Sequence, residues 1–410
     1  MELFGRMASS AKPRNEAVID IGSHSIKALV FERGIDDAPP RVLKKMASHL
    51  PTSAERLRVA AKLHELMFFL VRETGGAPGK VTIAMGPYLA DYSLASWPAS
   101  EDWTKAAVSG SDLARMFLAA AGEHEEPARV LWAYPTAVFA NGYALSASVS
   151  GSMPSIRFLP KARSGQGASL SFAALIASLP RRVAETLDEA RFAWGGMPIE
   201  FIPLPLAYLH ALGCAGETSD YLLIDTGGEE TMLMRVRRGL LLSVRFFPVG
   251  SHEFIRAAAR DKGISFREAE NIMQGYSRGT ARSVHGTQTS EVASDLAIPA
   301  YPGQQEFRAG SRWNGAFVRT LDEDYHLGPL SERVILTGGG AQLPEVEAAV
   351  RAGAWIQKLS HVSAPSVRIL AGNNFFRGMS FAGSVDGPED AGLAALMQYA
   401  LRRTDAPPRE

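Results

Sequence analysis

The sequence predicts an α/β protein made of two related half-domains, with a small α+β subdomain inserted into the first. Three segments carry this prediction. AVIDIGSHSIKALVFERG (Ala17 to Gly34) and YLLIDTGGEETMLMRVRRG (Tyr221 to Gly239) share one pattern: an apolar strand, an Asp, a turn of small residues, and a second strand. They lie about 200 residues apart, as a matched pair of hairpins in a duplicated fold. RVILTGGGAQLPEVEAAV (Arg333 to Val350) adds a glycine-rich turn between a strand and a helix.

The pattern suits a phosphate chain, which needs many donors and little side-chain bulk. Gly22, Gly227 and Gly228 let the backbone turn tightly and bring N–H groups toward anionic oxygens. Ser23 and Ser25 add hydroxyl donors, and Lys27 adds a cation. Asp20 and Asp225 stand at strand ends, where each can orient a water of a magnesium ion. Gly338, Gly339 and Gly340 remove side chains at the head of a helix, where a flat base or ribose can lie against backbone. A single DxG or GGG is usually only a turn. Here order, spacing and strand context agree.

The elements follow in chain order. Ala17–Phe31 reads as two strands around the first turn, with a third over Arg41–Ser48. Ser53–Thr74 reads as a helix: Ser53 caps it, Leu63, Leu66, Met67 and Leu70 have helical spacing, and Gly75 and Gly76 end it. Lys80–Met85 is a strand. The inserted piece spans residues 86–162, with strands near Leu89–Ser96, Arg129–Ala133, Tyr143–Ser148 and Ser155–Phe158 and a helix over Ser111–Ala121. Ala168–Ser178 leads from a strand into a helix that continues to Trp194, followed by a strand at Ile199–Ile202 and a helix at Leu204–Leu212. After the second hairpin come helices over Glu253–Lys262 and Ser265–Gly275, the latter opened by a Ser265–Glu268 capping box. Gly275–Ser311 reads as a loop or lobe, Ala316–Tyr325 as a helix, and Leu343–Gly353 as another. The half-domains are therefore residues 17–85 with 163–217, and 218–265 with 325–403; residues 266–324 form an inserted lobe of the second.

The last predicted helix, about Glu389 to Arg403, sets Leu393, Leu396, Met397, Ala400 and Leu401 on one face beside Arg402 and Arg403. Such a face can lie on a membrane, but the core reading is preferred. Arg235, Arg237 and Arg238 read as an exposed hairpin face.

Two phosphate hairpins and an adenosine-side GGG resemble the actin-like ATPase superfamily, with its ribonuclease H-like, duplicated fold. DIGSHSIKAL, DTGGEET and LTGGGAQLP look most like the FtsA branch, the bacterial cell-division actin, and its relative PilM of type IV pilus assembly. VSGSDLARMFLAAAG (Val108 to Gly122) and ARVLWAYPTAVFANGYAL (Ala128 to Leu145) resemble the FtsA insertion. PVGSHEFIRAAARDKGISFREAENIM (Pro248 to Met273) resembles the FtsA stretch after its second phosphate loop. The resemblance covers most of residues 15–400 and is weak between Gly275 and Asp324. It is not to the Walker-type NTPases, since GxxxxGK[ST] does not occur.

The resemblance implies that ATP and magnesium bind at Asp20, Gly22, Ser23, Ser25 and Lys27, at Asp225, Gly227, Gly228 and Thr231, and at Gly338, Gly339 and Gly340. His24 either touches a phosphate or faces solvent. Glu268 either faces the ribose or base or is an exposed capping residue. The pattern also departs from the family. Glu229 and Glu230 stand where small residues usually follow the glycines, and Met232 replaces an Asp. Leu204-Pro205 stands where Glu-Pro is common, so a water-orienting carboxylate is missing and hydrolysis is expected to be weak or absent.

Three functions follow as expectations. The first is an FtsA-like adaptor that docks the FtsZ ring and other division proteins to the membrane and self-associates into filaments. The alternative is a PilM-like cytoplasmic scaffold of a type IV pilus or type II secretion assembly. The third, a sugar kinase, lacks a matching catalytic Asp. The insertion is expected to face neighbouring subunits and partners. The separate FtsA membrane helix is not expected, so membrane contact would pass through a partner or, less favoured, the MELFGRM start.

Composition agrees with an ordinary soluble protein of a reducing cytoplasm, and the resemblance implies a place at the inner face of the cell membrane. The 410 residues are 46% hydrophobic, enough for more than one core. The 43 basic and 43 acidic side chains cancel, which gives no electrostatic footprint for nucleic acid. A single cysteine, Cys214, excludes internal disulfides and reads as a small buried hydrophobe at a helix end. No run of 18 apolar residues occurs, and the first 16 residues are too polar for a signal peptide.

Overall fold

A computed structural model describes residues 15–33, 40–50, 59–87, 89–98, 107–108, 112, 115–116, 129–141, 143–147, 156–157, 170–194, 197–277, 304–352, 354–358, 364–376 and 385–402. The first half contains β1 (Asn15–Ile21), β2 (Ser25–Glu32), β3 (Arg41–His49), α1 (Val59–Thr74) and β4 (Lys80–Met85). There follow β5 (Asp91–Pro98), β6 (Ala107–Val108), β7 (Arg129–Ala140), β8 (Tyr143–Ala147), β9 (Ile156–Arg157) and β10 (Leu170–Pro180). Then come α2 (Arg181–Ala193), β11 (Ile199–Pro203) and α3 (Leu204–Cys214). The second half contains β12 (Tyr221–Thr226), β13 (Thr231–Arg237), β14 (Leu240–Phe247), α4 (Ser251–Lys262), α5 (Phe266–Ser277), α6 (Gln304–Glu323), β15 (Arg333–Thr337), α7 (Pro344–Ala352), β16 (Ser366–Ile369) and α8 (Ala391–Arg402).

The duplication is explicit in the strand order. One sheet runs β11-β4-β1-β2-β3 and the other β16-β15-β12-β13-β14. In each, an antiparallel meander of three strands is extended by two parallel strands beside the first. The turns β1–β2 and β12–β13 therefore occupy equivalent positions.

Alternation along β12 sorts its side chains. Leu223 joins a core shared with the first half, whereas Leu222 and Ile224 join a second core under α4 to α7. The shared core is filled by α3 and α8. Both are apolar nearly all round, as buried helices must be: Leu204 to Leu212 are all buried in α3, as are Leu393 to Ala400 in α8. Helix α8 packs on α3 and β1, so the core reading of the last helix holds. Arg33 fixes its end, donating to the carbonyls of Ala400 and Leu401 at 2.8 Å each while pairing with Glu16. Among the described residues, no helix is long and apolar enough to cross a membrane.

Four expectations need correction. Residues 170–180 do not lead from strand to helix inside the first half; β10 forms a sheet with the inserted strands, in the order β5-β10-β7-β8. Its alternating burial was hidden by small residues, which suit either period. Helix α6 starts at Gln304, twelve residues before the predicted start at Ala316, because Ala309, Trp313, Ala316, Phe317 and Leu321 form one buried stripe that outweighs Gly310 and Gly315. Cys214 is exposed rather than buried. Arg235 is buried rather than exposed, with its guanidinium donating to the carbonyls of Asp324, Gly328 and Pro329. The predicted helix over Ser111–Ala121, the cap at Ser53 and most of the loop after Ser277 lie outside the described residues.

Trp313 anchors the second core. It stacks on Phe317 at 5.2 Å, meets Phe247 edge-on at 5.6 Å, and donates its indole N–H to Thr231 at 3.1 Å. Trp313→Ala is expected to cost about 3–5 kcal/mol, read as a lower urea midpoint with an unchanged far-ultraviolet spectrum before the transition.

Candidate functional site

The two hairpin turns fold alike for a local reason. Gly22 N–H donates to the Ser25 carbonyl at 3.1 Å, and Gly227 N–H donates to the Glu230 carbonyl at 2.9 Å. Each turn thus carries its strand-end Asp to the same place. Between them opens a cavity of about 480 Å³, walled by both turns, the start of α3, the Gly338–Gly339 turn and the start of α8.

Lys27 stands opposite Asp20 in the β1–β2 pair, and its ammonium donates to the Glu389 carbonyl. Asp20 points at the start of α8: a Cβ placed on Gly392 would lie 2.7 Å from its Oδ2. Burial raises the Asp20 pKa, with Lys27 opposing and Asp390 adding to the shift. Asp390 itself pairs with Lys45 at 2.6 Å. Burial also pushes Asp225 up to about 6, against the hydrogen bond that Tyr208 donates to its Oδ2 at 2.9 Å. The floor of the cavity therefore holds two carboxylates that burial makes costly to charge.

The three glycines do different work. Gly338 has φ +82°, and a Cβ there would lie 2.2 Å from Asp225 Oδ1. A Cβ on Gly340 would lie 2.3 Å from the Thr226 methyl. These two let the turn pack onto β12. Only Gly339 is open, with nothing nearer than 3.9 Å, and it faces the cavity.

The turns also touch each other. Glu229 N–H donates to Ser23 Oγ at 3.0 Å, and His24 lies over Gly228. The carbonyls of Gly227 and Gly228 accept from Ser251 and His252 at the head of α4, at 2.9 and 2.8 Å. Glu229 turns away from the cavity toward that helix, meeting His252 at 2.9 Å and Arg256 at 2.5 Å. Burial alone would raise its pKa, but those two partners hold it below the usual carboxylate range. His24 is driven down to about 4 by burial, reinforced by His252, His49 and Lys27.

Asp20, Gly22, Ser23, His24, Ser25, Lys27, Asp225, Gly227, Gly228, Gly338 and Gly339 all meet at the cavity wall. Three sequence-predicted residues do not. Gly340 packs behind the wall. Thr231 is in the core, donating to the Val249 carbonyl at 2.7 Å. Glu268 is an exposed cap whose carboxylate accepts from Ser265 N–H at 2.9 Å and Ser265 Oγ at 2.6 Å. Glu270, two residues on, faces the cavity instead, with Met273 and Gln274. Sequence reasoning missed Glu270, Tyr208, His49 and His252. Tyr208 had a signal, since it follows cavity-lining Leu204 by four residues on one helix.

No family model matches the chain, and no curated protein matches it in sequence. Solved structures do match. PilM, from the PilM–PilN type IV pilus biogenesis complex, superposes with a TM-score of 0.61 at 16% identity, covering 96% of this chain and 100% of that one. This chain has the actin-like ATPase fold. The ethanolamine utilization protein EutJ of Carboxydothermus hydrogenoformans is similar at 12% identity, with 95% and 91% of the two chains covered and a TM-score of 0.43. MreB5 of Spiroplasma citri bound to ADP is similar at 11% identity, with 95% and 96% covered and a TM-score of 0.43. In the actin-like arrangement seen here, the cleft between halves is the cavity just described.

The raised Asp225 pKa sets a pH dependence. Its folded value, about 6, lies above the ordinary 3.8, so the folded form holds its proton more tightly than the unfolded chain does. That stabilisation is full below about pH 4 and lost as pH rises through about 6. Asp225→Asn keeps an acceptor for Tyr208 and removes the charge. The variant's melting temperature should exceed that of the unsubstituted protein at pH 7.5, and the gap should shrink toward pH 4.5.

Proposed function

We propose that this chain is an ATP-magnesium-binding scaffold of the PilM kind, acting at the cytoplasmic base of a pilus or secretion assembly. The observation that carries nucleotide binding is the cavity walled by both hairpin turns, together with the open face of Gly339. The donor chemistry fits the ligand. Two carboxylates whose charge is made costly by burial suit the waters of a magnesium ion. Lys27 and the amides of two glycine turns suit phosphate oxygens. Gly339 leaves room for the nucleoside. Magnesium, when bound, neutralises phosphate charge; Asp20 and Asp225 would hold its waters, and Lys27 would hold the phosphate side.

Scaffolding rather than fast turnover is favoured by the head of α3. Leu204 lines the cavity where related sequences commonly carry a carboxylate that orients water. On that helix Tyr208, one turn along, is engaged with Asp225 and supplies no carboxylate in its place. The pilus alternative rests on the likeness to PilM, which spans all of that chain. The division-ring role expected from the sequence draws no support from these likenesses. Membrane contact, in this reading, is made through a partner at the inner face.

Two variants separate ligand from fold. Gly339→Val should leave the melting temperature within a few degrees and weaken ATP-magnesium binding at least tenfold in calorimetric titration, since the side chain fills the nucleoside face. Gly340→Ala should destabilise the protein, because its methyl collides with Thr226. Steady-state turnover should stay well below the roughly 1 s⁻¹ at the low end of ordinary enzymes; faster turnover would sink the scaffold reading. For the partner, titration against the host's PilN-type protein should give saturable binding. Binding to the host's FtsZ tail and not to the PilN-type protein would replace this reading with the division adaptor.

A further inference from the structure

On the wall of the same cavity sits a cluster of two histidines and a glutamate. His24 is on the first turn, His49 ends β3, and Glu270 projects from α5 in the opposite half. One ligand atom from each lies within 4.8 Å of the others. His24 Nε2 stands 3.1 Å from Glu270 Oε1, and the His24 and His49 rings meet edge-on at 4.9 Å. The backbone sets this juxtaposition, since Leu50 N–H donates to the His24 carbonyl at 2.9 Å and ties the end of β3 to the turn.

The hydrogen-bond chain behind His24 assigns its tautomer. A carboxylate only accepts, so His252 Nδ1–H donates to Glu229 at 2.9 Å. With neutral rings, His252 Nε2 then accepts, and His24 Nδ1–H donates to it at 2.7 Å. This leaves the lone pair of His24 Nε2 facing a carboxylate oxygen at 3.1 Å, two acceptors with nothing between them. A cation resolves that contact. The carboxylate–imidazole–imidazole relay is also the outer support that metal-bound histidines use to fix ring orientation.

We propose that His24, His49 and Glu270 form a binding site for a divalent transition-metal ion of the zinc class, bridging the two halves across the cavity. Two imidazoles and one carboxylate are zinc ligands, and three protein ligands leave a position open to water or to an incoming oxygen ligand. Bonds of about 2.1 Å at tetrahedral angles set ligand atoms about 3.4 Å apart. The His24–Glu270 pair is already there, and a rotamer change of exposed His49 brings in the third. Because the ligands come from both halves, the ion stabilises the closed cleft.

The test is calorimetric titration of zinc into the full, chelator-treated chain, with cobalt as a visible-absorption reporter of coordination. One ion per chain is expected. His49→Ala and Glu270→Gln should each weaken binding by about tenfold or more, while His64→Ala, on the exposed face of α1, leaves it unchanged. His49 is exposed and Glu270 half-buried, and the folding of both variants is checked by melting without metal. Absence of zinc binding in the unsubstituted chain overturns the proposal. So does binding that both variants retain. A His24–His252 pair that carries an extra proton at pH 7.5 and keeps it when zinc is added, read from ring-nitrogen shifts, overturns it as well.

Discussion

The second hairpin is held where it is by backbone that comes too close for any side chain. A Cβ on Gly250 would lie 2.4 Å from the Gly228 carbonyl oxygen, one on Gly338 2.2 Å from Asp225, and one on Gly340 2.3 Å from the Thr226 side chain. Contact below about 3 Å is not tolerated at a close-packed interior. Two separate stretches of chain therefore converge on the end of β12. The head of α4 takes the turn's carbonyls, and the Gly338 turn covers its Asp. That convergence fixes Asp225, and with it one side of the cleft, before any ligand is present.

The first hairpin is positioned by different means. Lys27 reaches the Glu389 carbonyl, and Asp20 faces the start of α8, where a Cβ on Gly392 would lie 2.7 Å from its Oδ2. Helix α8 is buried along its length and belongs to the core that both halves share. A shift of α8 is thus felt at both Asp20 and the inter-half core. The cost of this arrangement is electrostatic, since burial raises the pKa of Asp20 and Asp225 alike. A site that a cation completes is less stable without it, which is the usual trade between stability and function.

Much of this was legible in the sequence because it was written in residues with few alternatives. An Asp at a strand end followed by glycine and another strand admits little besides a tight hairpin turn, and both turns folded as the residues required. The triple glycine pointed to the right place but for an incomplete reason, since two of its members serve packing against β12 and only Gly339 opens to the cavity. Glu268 was misplaced because a capping box fixes which carboxylate folds back on Ser265; the helix then turns Glu270 toward the cleft. The histidine cluster was illegible. His24, His49 and His252 are brought together by turn geometry and cross-half packing, which no local periodicity encodes. The early start of α6 was masked by two glycines whose propensity cost is outweighed by burying Trp313 and Phe317.

On the proposed nucleotide-binding reading, the bond between the two turns is the one a phosphate would displace. Glu229 N–H donates to Ser23 Oγ across the gap. Both groups are ones that phosphate oxygens would engage, and here they satisfy each other. A neutral hydrogen bond of this kind contributes only about 0.5–1.5 kcal/mol net. Its loss would be offset by charge-assisted bonds to a phosphate, which are roughly twice as strong as neutral ones. The turns need only part enough to let the anion between them. Glu229 does not oppose that step, because its carboxylate is tied back to His252 and Arg256. Glu229, which stands where a small residue usually follows the glycines, thus braces α4, and its backbone amide is left at the cleft.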